Sequence, residues 1–354
     1  MHIQLCTELK IKTIGDPHLG RNFSVGTAPH RKGEREQGQL NQLALELMDS
    51  DCNVNIMMGD IFDKFIVDPT IVMAAYQIYA HAATQNPGVD YVLLRGNHDV
   101  SRDNTRFSSF DLLVHMLRGF KNIIVVEDLL FYTSRDQTTM LMFCGYNPFA
   151  TAEEMSEAAG LEDIGFVHAV FGHWDIESYG GDDHNLCPYQ YFGQYTDLIV
   201  TGHVHQPQTF FVRTEDGKKI PKDLTAKYQS VEVIVTGSMQ PYSHGEDPDG
   251  MIYVTKTLDE YEAEIAVDPA VYHDKCLRLL ISPEDELPDN IDALQFAYKV
   301  VRPDVEDVDL EVDMGQFDFK SLFMETLEAH GVDEDYRKEM WETYLELSSD
   351  VEES

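Results

Sequence analysis

Asp16 and His18 stand one residue apart in GDPHLG, and His203 and His205 repeat that spacing in GHVH. In an extended segment, residues i and i+2 face the same side, so each pair can offer two donors to one ion. Asp60 in GDIFD, Asn97 and His98 in GNHD, and His173 in GHW complete a set of carboxylate, imidazole and amide donors. Such a mixed set suits a divalent first-row metal such as Mn²⁺, Fe²⁺ or Zn²⁺, whereas an all-oxygen set would suit Mg²⁺ or Ca²⁺. One carboxylate can bridge two ions about 3.5–4 Å apart, the spacing of two-metal hydrolysis, where the pair activates a water, holds a phosphate and offsets developing negative charge. Taken singly, a DxH or HxH is ordinary surface or packing chemistry, and GDxxD often marks a turn. The ordered series DxH, GDxxD, GNHD, GHW and GHxH reads instead as one metal site.

Each motif trails a short apolar run that would position it: residues 11–14, 54–58, 91–94, 166–172 and 198–201. Helical patterns lie between them, at 41–51 (with Leu43, Leu47 and Met48 on one face), 70–83 and 106–118. Further strands are predicted at 123–126, 140–145, 231–236, 251–255 and 276–281, a helix closing over 156–160, and another helix over 292–301. This strand–helix rhythm predicts an α/β fold whose functional loops cluster at the carboxyl ends of the strands.

Composition bounds the function. With 354 residues, 43% hydrophobic and 25% charged, the chain reads as globular and neither disordered, collagen-like nor membrane-embedded. It contains no run of 18 apolar residues and no basic-then-apolar leader pattern. Cys6, Cys52, Cys144, Cys187 and Cys276 are odd in number and form no CxxC, which predicts a reduced, cytoplasmic protein. The net charge of −37 opposes unaided binding to nucleic acid or anionic membranes. A DNA function would need a local basic patch, bound cations or a basic partner. His30, Arg31, Lys32 and Arg35 form the dense basic cluster near a motif, readable as a phosphate contact or as a solvated loop. From Val301 onward the chain holds 18 acidic and four basic residues, so part of the imbalance is a C-terminal feature. After the acidic stretch, Phe319, Leu322, Phe323 and Leu327 form one helical stripe, and Tyr336, Met340, Tyr344 and Leu347 a second.

The motif series resembles the calcineurin-like metallophosphoesterase superfamily. Within it, DPHLG, GDIFD, GNHD, GHW and GHVH resemble the nuclease subunit of the double-strand-break repair complex, the SbcD family, called "meiotic recombination eleven" in eukaryotes. The phage form is the most similar, with GHWDIESYG before the His-rich motif and GSMQPYSHGEDPDG after it. The resemblance covers residues 10–260 by motif and 315–347 by pattern. It implies a β-sandwich flanked by helices, with a nuclease domain at 1–260 and a small capping domain at 261–300. An acidic linker at 301–314, an ATPase-binding helix pair at 315–347 and a disordered tail at 348–354 would follow. One metal would take Asp16, His18 and His205, and the other Asn97, His173 and His203, with Asp60 bridging and Mn²⁺ as the expected metal. His168 is the alternative to His173, but the GHW pattern favours the latter. His98 would face the scissile phosphate and Asp99 would orient its ring. Tyr242, Ser243 and His244 fall in the loop at the substrate edge.

The implied activity is two-metal hydrolysis of DNA phosphodiesters, as a 3'–5' double-strand exonuclease and single-strand endonuclease. An SbcC-type coiled-coil ATPase would regulate it, docking on Phe319, Leu322, Phe323, Met340, Trp341 and Tyr344, with the nuclease a homodimer inside a heterotetramer. The location would be cytoplasmic, in the host if the chain is phage-encoded. The alternatives are a phosphomonoesterase or small-molecule phosphodiesterase of the same superfamily, and a non-catalytic scaffold. Phosphomonoesterases typically read GNHE with an Arg after the second motif, where this chain has GNHD and GDIFDKF.

Overall fold

Strands that are apolar on both faces need cover on both. In the computed structural model, which describes residues 1–5, 8–101, 106–177, 184–288 and 290–301, a second sheet covers one face and helices the other. The first sheet runs in the order β1 (His2–Gln4), β2 (Lys10–Ile14), β3 (Val54–Met57), β4 (Asp90–Leu94) and β5 (Ile123–Val126), with β2 to β5 parallel. The second contains β6 (Leu129–Thr133), β7 (Met140–Cys144), β8 (Ala169–Gly172), β9 (Leu198–Thr201), β10 (Gln208–Arg213), β11 (Lys219–Ile220) and β12 (Ser230–Val235). Their order is β11-β10-β12-β9-β8-β7-β6, with the inner strands β7, β8, β9 and β12 parallel.

The two-residue period of the strands divides the core. Val54, Ile56, Val92 and Leu94 pack against Phe143, Phe171, Leu198 and Val200 between the sheets. Their neighbours Met57, Tyr91 and Leu93 face α1 (Glu34–Met48), α2 (Pro69–Gln85) and α3 (Ser109–Leu117). Met142, Val170 and Ile199 face α4 (Ala152–Ala158), α5 (Leu161–Ile164) and α6 (Tyr189–Phe192). The helix starts have local causes. Asp68 accepts the Thr70 N–H at 2.8 Å ahead of Pro69 in the first turn of α2, and Ser108 with Asp111 forms a capping box on α3. This agrees with the α/β fold expected from the strand–helix rhythm and with the helix-flanked β-sandwich that the resemblance implies.

A third, parallel sheet follows: β13 (Tyr253–Thr257), β14 (Cys276–Ile281) and β15 (Gln295–Val300), with α7 (Leu258–Val267) crossing between the first two. Tyr261, Tyr272, Leu277 and Leu279 form its core. The helix predicted over 292–301 is therefore wrong: Gln295 to Val300 pairs residue by residue with Cys276 to Ile281. The small sheet also begins at Tyr253, ahead of the boundary predicted at 260. The predicted linker from residue 302 on, the helix pair with its docking residues Phe319, Leu322, Phe323, Met340, Trp341 and Tyr344, and the tail lie outside the described residues. Among the described residues, no helix is long and apolar enough to cross a membrane.

Candidate metal centre

The carboxyl ends of parallel strands in both sheets aim the motif loops at one another. Asp16 and His18 follow β2, Asp60 follows β3, Asn97 and His98 follow β4, His173 follows β8, and His203 and His205 follow β9. Two glycines permit the close approach. A Cβ on Gly59, whose φ is +109°, would lie 2.3 Å from His173 Nδ1, and one on Gly96 would lie 2.2 Å from Asp60 Oδ1. His18, Asp60 and His203 themselves hold left-handed φ values of 44°, 47° and 71°. Each costs on the order of 1–2 kcal/mol, a strain that collects at functional sites.

All seven predicted ligands converge. Three overlapping clusters have donor atoms within 4.8 Å of one another: Asp16, His18 and His205; His18, Asp60 and His98; and Asp60, His173 and His203. His18 Nε2 lies 3.0 Å from His205 Nε2. Asn97 Oδ1 lies 3.0 Å from both His173 Nε2 and His203 Nδ1, and those nitrogens are 3.2 Å apart. His168 is elsewhere, with Nδ1 accepting the Met140 N–H, so His173 is the histidine that reaches the cluster.

Four rings are anchored from outside. His173 Nδ1 donates to the Met58 carbonyl at 2.8 Å, and His98 Nδ1 donates to the Asp63 carbonyl at 2.6 Å. His203 Nε2 pairs with Asp175 at 2.9 Å, and His205 Nδ1 faces Glu246 at 3.4 Å. With protons held on those outer nitrogens, His173, His203 and His205 turn the lone pairs of their inner nitrogens into the cluster. Facing lone pairs about 3 Å apart repel unless a cation or proton lies between them. Asp16 Oδ1 and His18 Nδ1 are buried with no hydrogen-bond partner among the described residues, a costly state for polar atoms. The donor set therefore fits divalent cations.

The charges agree. Burial raises Asp16 to about 6 and, helped by the neighbouring cationic groups, lowers His18 to about 3. Against the pull of burial, His173 and His18 hold Asp60 well below the carboxylate range. Burial would lower His173, but the Asp60 and Asp16 carboxylates push it up to about 10. A cation bound at His173 must displace that proton. Apparent Mn²⁺ affinity is therefore expected to rise with pH, by about tenfold per unit between pH 6 and 8 for one proton released, read by equilibrium dialysis. A flat profile would refute the competition.

Asp175 and Glu246 escaped the sequence reading. Asp175 carried a usable signal, since it stands two residues after His173 in GHWD. Asp175→Ala is expected to weaken metal binding about 10–100-fold by freeing the His203 ring, measured by metal titration. Unchanged affinity would show that the pairing orients nothing.

Three predicted roles are corrected. Asp99 does not orient His98. Its buried carboxylate accepts the backbone N–H groups of Gly96, Ile61 and Phe62 at 3.0–3.3 Å and so ties the GDIF loop to the GNHD loop. Burial, with the Asp60 charge, raises it to about 7. Arg31 and Arg35 are turned inward at 4% and 5% exposure, so they cannot meet DNA phosphates. Arg31 bonds Glu34 and the His273 carbonyl, and Arg35 bonds Gln240 and the Pro241 carbonyl. His30 and Lys32 remain exposed.

A family model described as calcineurin-like phosphoesterase matches residues 9–207. No curated protein matches the chain. Among solved structures, a dimetal phosphatase from Danio rerio is similar at 11% identity and a TM-score of 0.38, over 65% of this chain and 88% of that one.

Proposed function

Because the chain belongs to the calcineurin-like phosphoesterase family, and so is a metal-dependent phosphoester hydrolase, we propose that it is the nuclease subunit of an SbcCD-like complex that hydrolyses DNA phosphodiesters. Asp16, His18 and His205 would hold one divalent ion, Asn97, His173 and His203 the other, and Asp60 both. Mn²⁺ suits the imidazole, carboxylate and amide set. When bound, the ions supply charge that polarises a phosphoryl oxygen and acidifies water.

The observation that carries the reading is the placement of His98. Its ring is held by Nδ1 on the Asp63 carbonyl, and its backbone N–H donates to Asp60 Oδ1 at 2.9 Å. Nε2 then looks along the open side of the centre, 3.9 Å from Asp60 Oδ2, and the side chain is 41% exposed where Asp60 is 3%. A proton on Nε2 can pass to a leaving oxygen there, and the open side can admit a polymer strand. GNHD and GDIFDKF add the support of sequence, since they depart from the phosphomonoesterase pattern.

The test is Mn²⁺-dependent turnover on duplex and single-stranded DNA beside p-nitrophenyl phosphate and its bis-ester. Cleavage of DNA and the bis-ester is expected; cleavage of the monoester alone would overturn the nuclease reading. An acidic chain that must engage DNA also calls for a basic partner. We assign that part to an SbcC-type coiled-coil ATPase docked on residues 315–347, with the nuclease dimeric in the assembly. Deleting residues 315–354 is expected to abolish co-purification with the ATPase while metal content stays unchanged. Persistent co-purification would refute the docking.

A further inference from the structure

Residues 238–247 lie between β12 and β13, and their contacts with the metal centre all fall on one set of ligands. The Ser238 N–H donates to the His205 carbonyl at 3.1 Å, and the Met239 N–H to the Asp16 carbonyl at 3.2 Å. Tyr242 is buried, and its hydroxyl donates to the carbonyls of Asp16 and Pro17 at 2.9 and 2.6 Å. Its ring stands edge-on to His18 and His205, with centroids 5.4 Å away in each case. Glu246 Oε2 accepts the Tyr242 N–H at 2.9 Å and faces His205 Nδ1 at 3.4 Å. Among the described residues, no hydrogen bond or ring contact from this stretch reaches Asn97, His173 or His203.

These contacts hold what the local chain does not. His18 sits at a φ of 44°, a strained conformation for a residue with a Cβ, directly after the two carbonyls that Tyr242 binds. An imidazole whose outer nitrogen meets a carboxylate is fixed in tautomer and rotation, so its inner lone pair is aimed. Asp175 does this for His203, and Glu246 does it for His205 from a different part of the chain. The two donor sets thus have separate supports. The stretch is itself anchored at two points. Arg35, buried in α1, donates to Gln240 Oε1 and to the Pro241 carbonyl. Asp247 accepts the N–H groups of Met251, Ile252 and Tyr253 at 2.6–2.9 Å, where the third sheet begins.

We propose that residues 238–247 are a strap that assembles the site of one ion only, the one assigned to Asp16, His18 and His205. Glu246 is the positioning residue for His205, and Tyr242 for the turn that presents Asp16 and His18. Asp247 ties that same site to the third sheet. The strap rests on the two-ion reading of the centre and not on the choice of DNA as substrate.

The experiment is equilibrium dialysis of the full chain against Mn²⁺, beside melting of the metal-free chain, so that turnover is not the readout. The unchanged chain is expected to bind two ions. Glu246→Ala should hold one of them with unchanged affinity and bind the other at least about tenfold more weakly, the usual cost of removing a carboxylate behind a ligating histidine. The retained ion and an unshifted melting transition check the fold. Glu246→Gln keeps an acceptor for both N–H groups and should recover most of the loss; no recovery would assign the effect to charge and overturn the positioning. Tyr242→Phe keeps the ring, loses the hydroxyl and should weaken the same single ion. Asp175→Ala combined with Glu246→Ala should weaken both ions, since each change strikes a different one. One tight ion left in that double variant, equal weakening of both ions by Glu246→Ala, or full affinity in Glu246→Ala and Tyr242→Phe would overturn the strap. Asp247→Ala, at a residue that touches no ligand, should also weaken the strapped ion; unchanged binding would remove the tie to the third sheet. Two ions in an unchanged chain that cuts no DNA would remove the nuclease reading and leave the strap standing. DNA cut by a chain whose Glu246→Ala variant still holds both ions tightly would do the reverse.

Discussion

His98→Ala is expected to lower turnover on DNA about 10²–10⁴-fold, the usual worth of a positioned general acid, while metal content stays unchanged. The expectation comes from position. The backbone of Asp63 fixes the ring, and Nε2 faces the centre from its solvent-open side. The ring is not needed to hold the loop, because Asp99 does that through three backbone N–H groups. The choice of substrate separates two roles. A p-nitrophenolate leaves without a proton, so a general acid predicts a smaller loss on the bis-ester than on DNA. Equal losses on both would point to charge stabilisation of the transition state. Wild-type turnover would dismiss the residue from the chemistry, and loss of a metal ion would make it a ligand.

Asp60→Asn should be nearly as severe, with turnover down on the order of 10³-fold or more and cation uptake reduced at both clusters. The change preserves shape and the acceptor for the His98 N–H, so the loop has no reason to collapse. What disappears is the carboxylate common to two of the donor clusters, 3.4 Å from His173 and 3.7 Å from His18. Without its charge the proton on His173 also loses a principal source of stabilisation. Elemental analysis after dialysis against Mn²⁺, run beside the activity assay, checks both parts. Full loading with intact turnover would mean that Asp60 bridges nothing.

The motifs could be read from the sequence because each follows a short apolar strand, and parallel strands in facing sheets leave their carboxyl ends only one edge to share. Gly59 and Gly96 stood inside those motifs, but that only hydrogen fits there against His173 and Asp60 is visible in the structure alone. What sequence did not reveal was mostly contact across the fold. The support of His98 is a backbone carbonyl, which carries no side-chain signature, and Glu246 reaches His205 from 41 positions away. Arg35 was misassigned by charge alone. Its spacing held the answer, because Arg35, Gln39, Leu43 and Leu47 recur every four residues along the buried face of α1. For Gln295 to Val300, a short, partly apolar run, periodicity could not separate helix from strand, and pairing with β14 decides it.

Everything chemical here depends on divalent cations entering between β2, β3 and β4 on one side and β8 and β9 on the other. The decisive measurement is diffraction at the manganese absorption edge from crystals of the full chain grown with Mn²⁺. Two anomalous peaks about 3.5–4 Å apart are expected, one against Asp16, His18 and His205, the other against Asn97, His173 and His203, with Asp60 between them. No peak at the motif loops, or a single ion held away from Asp60, would contradict the reading at its root.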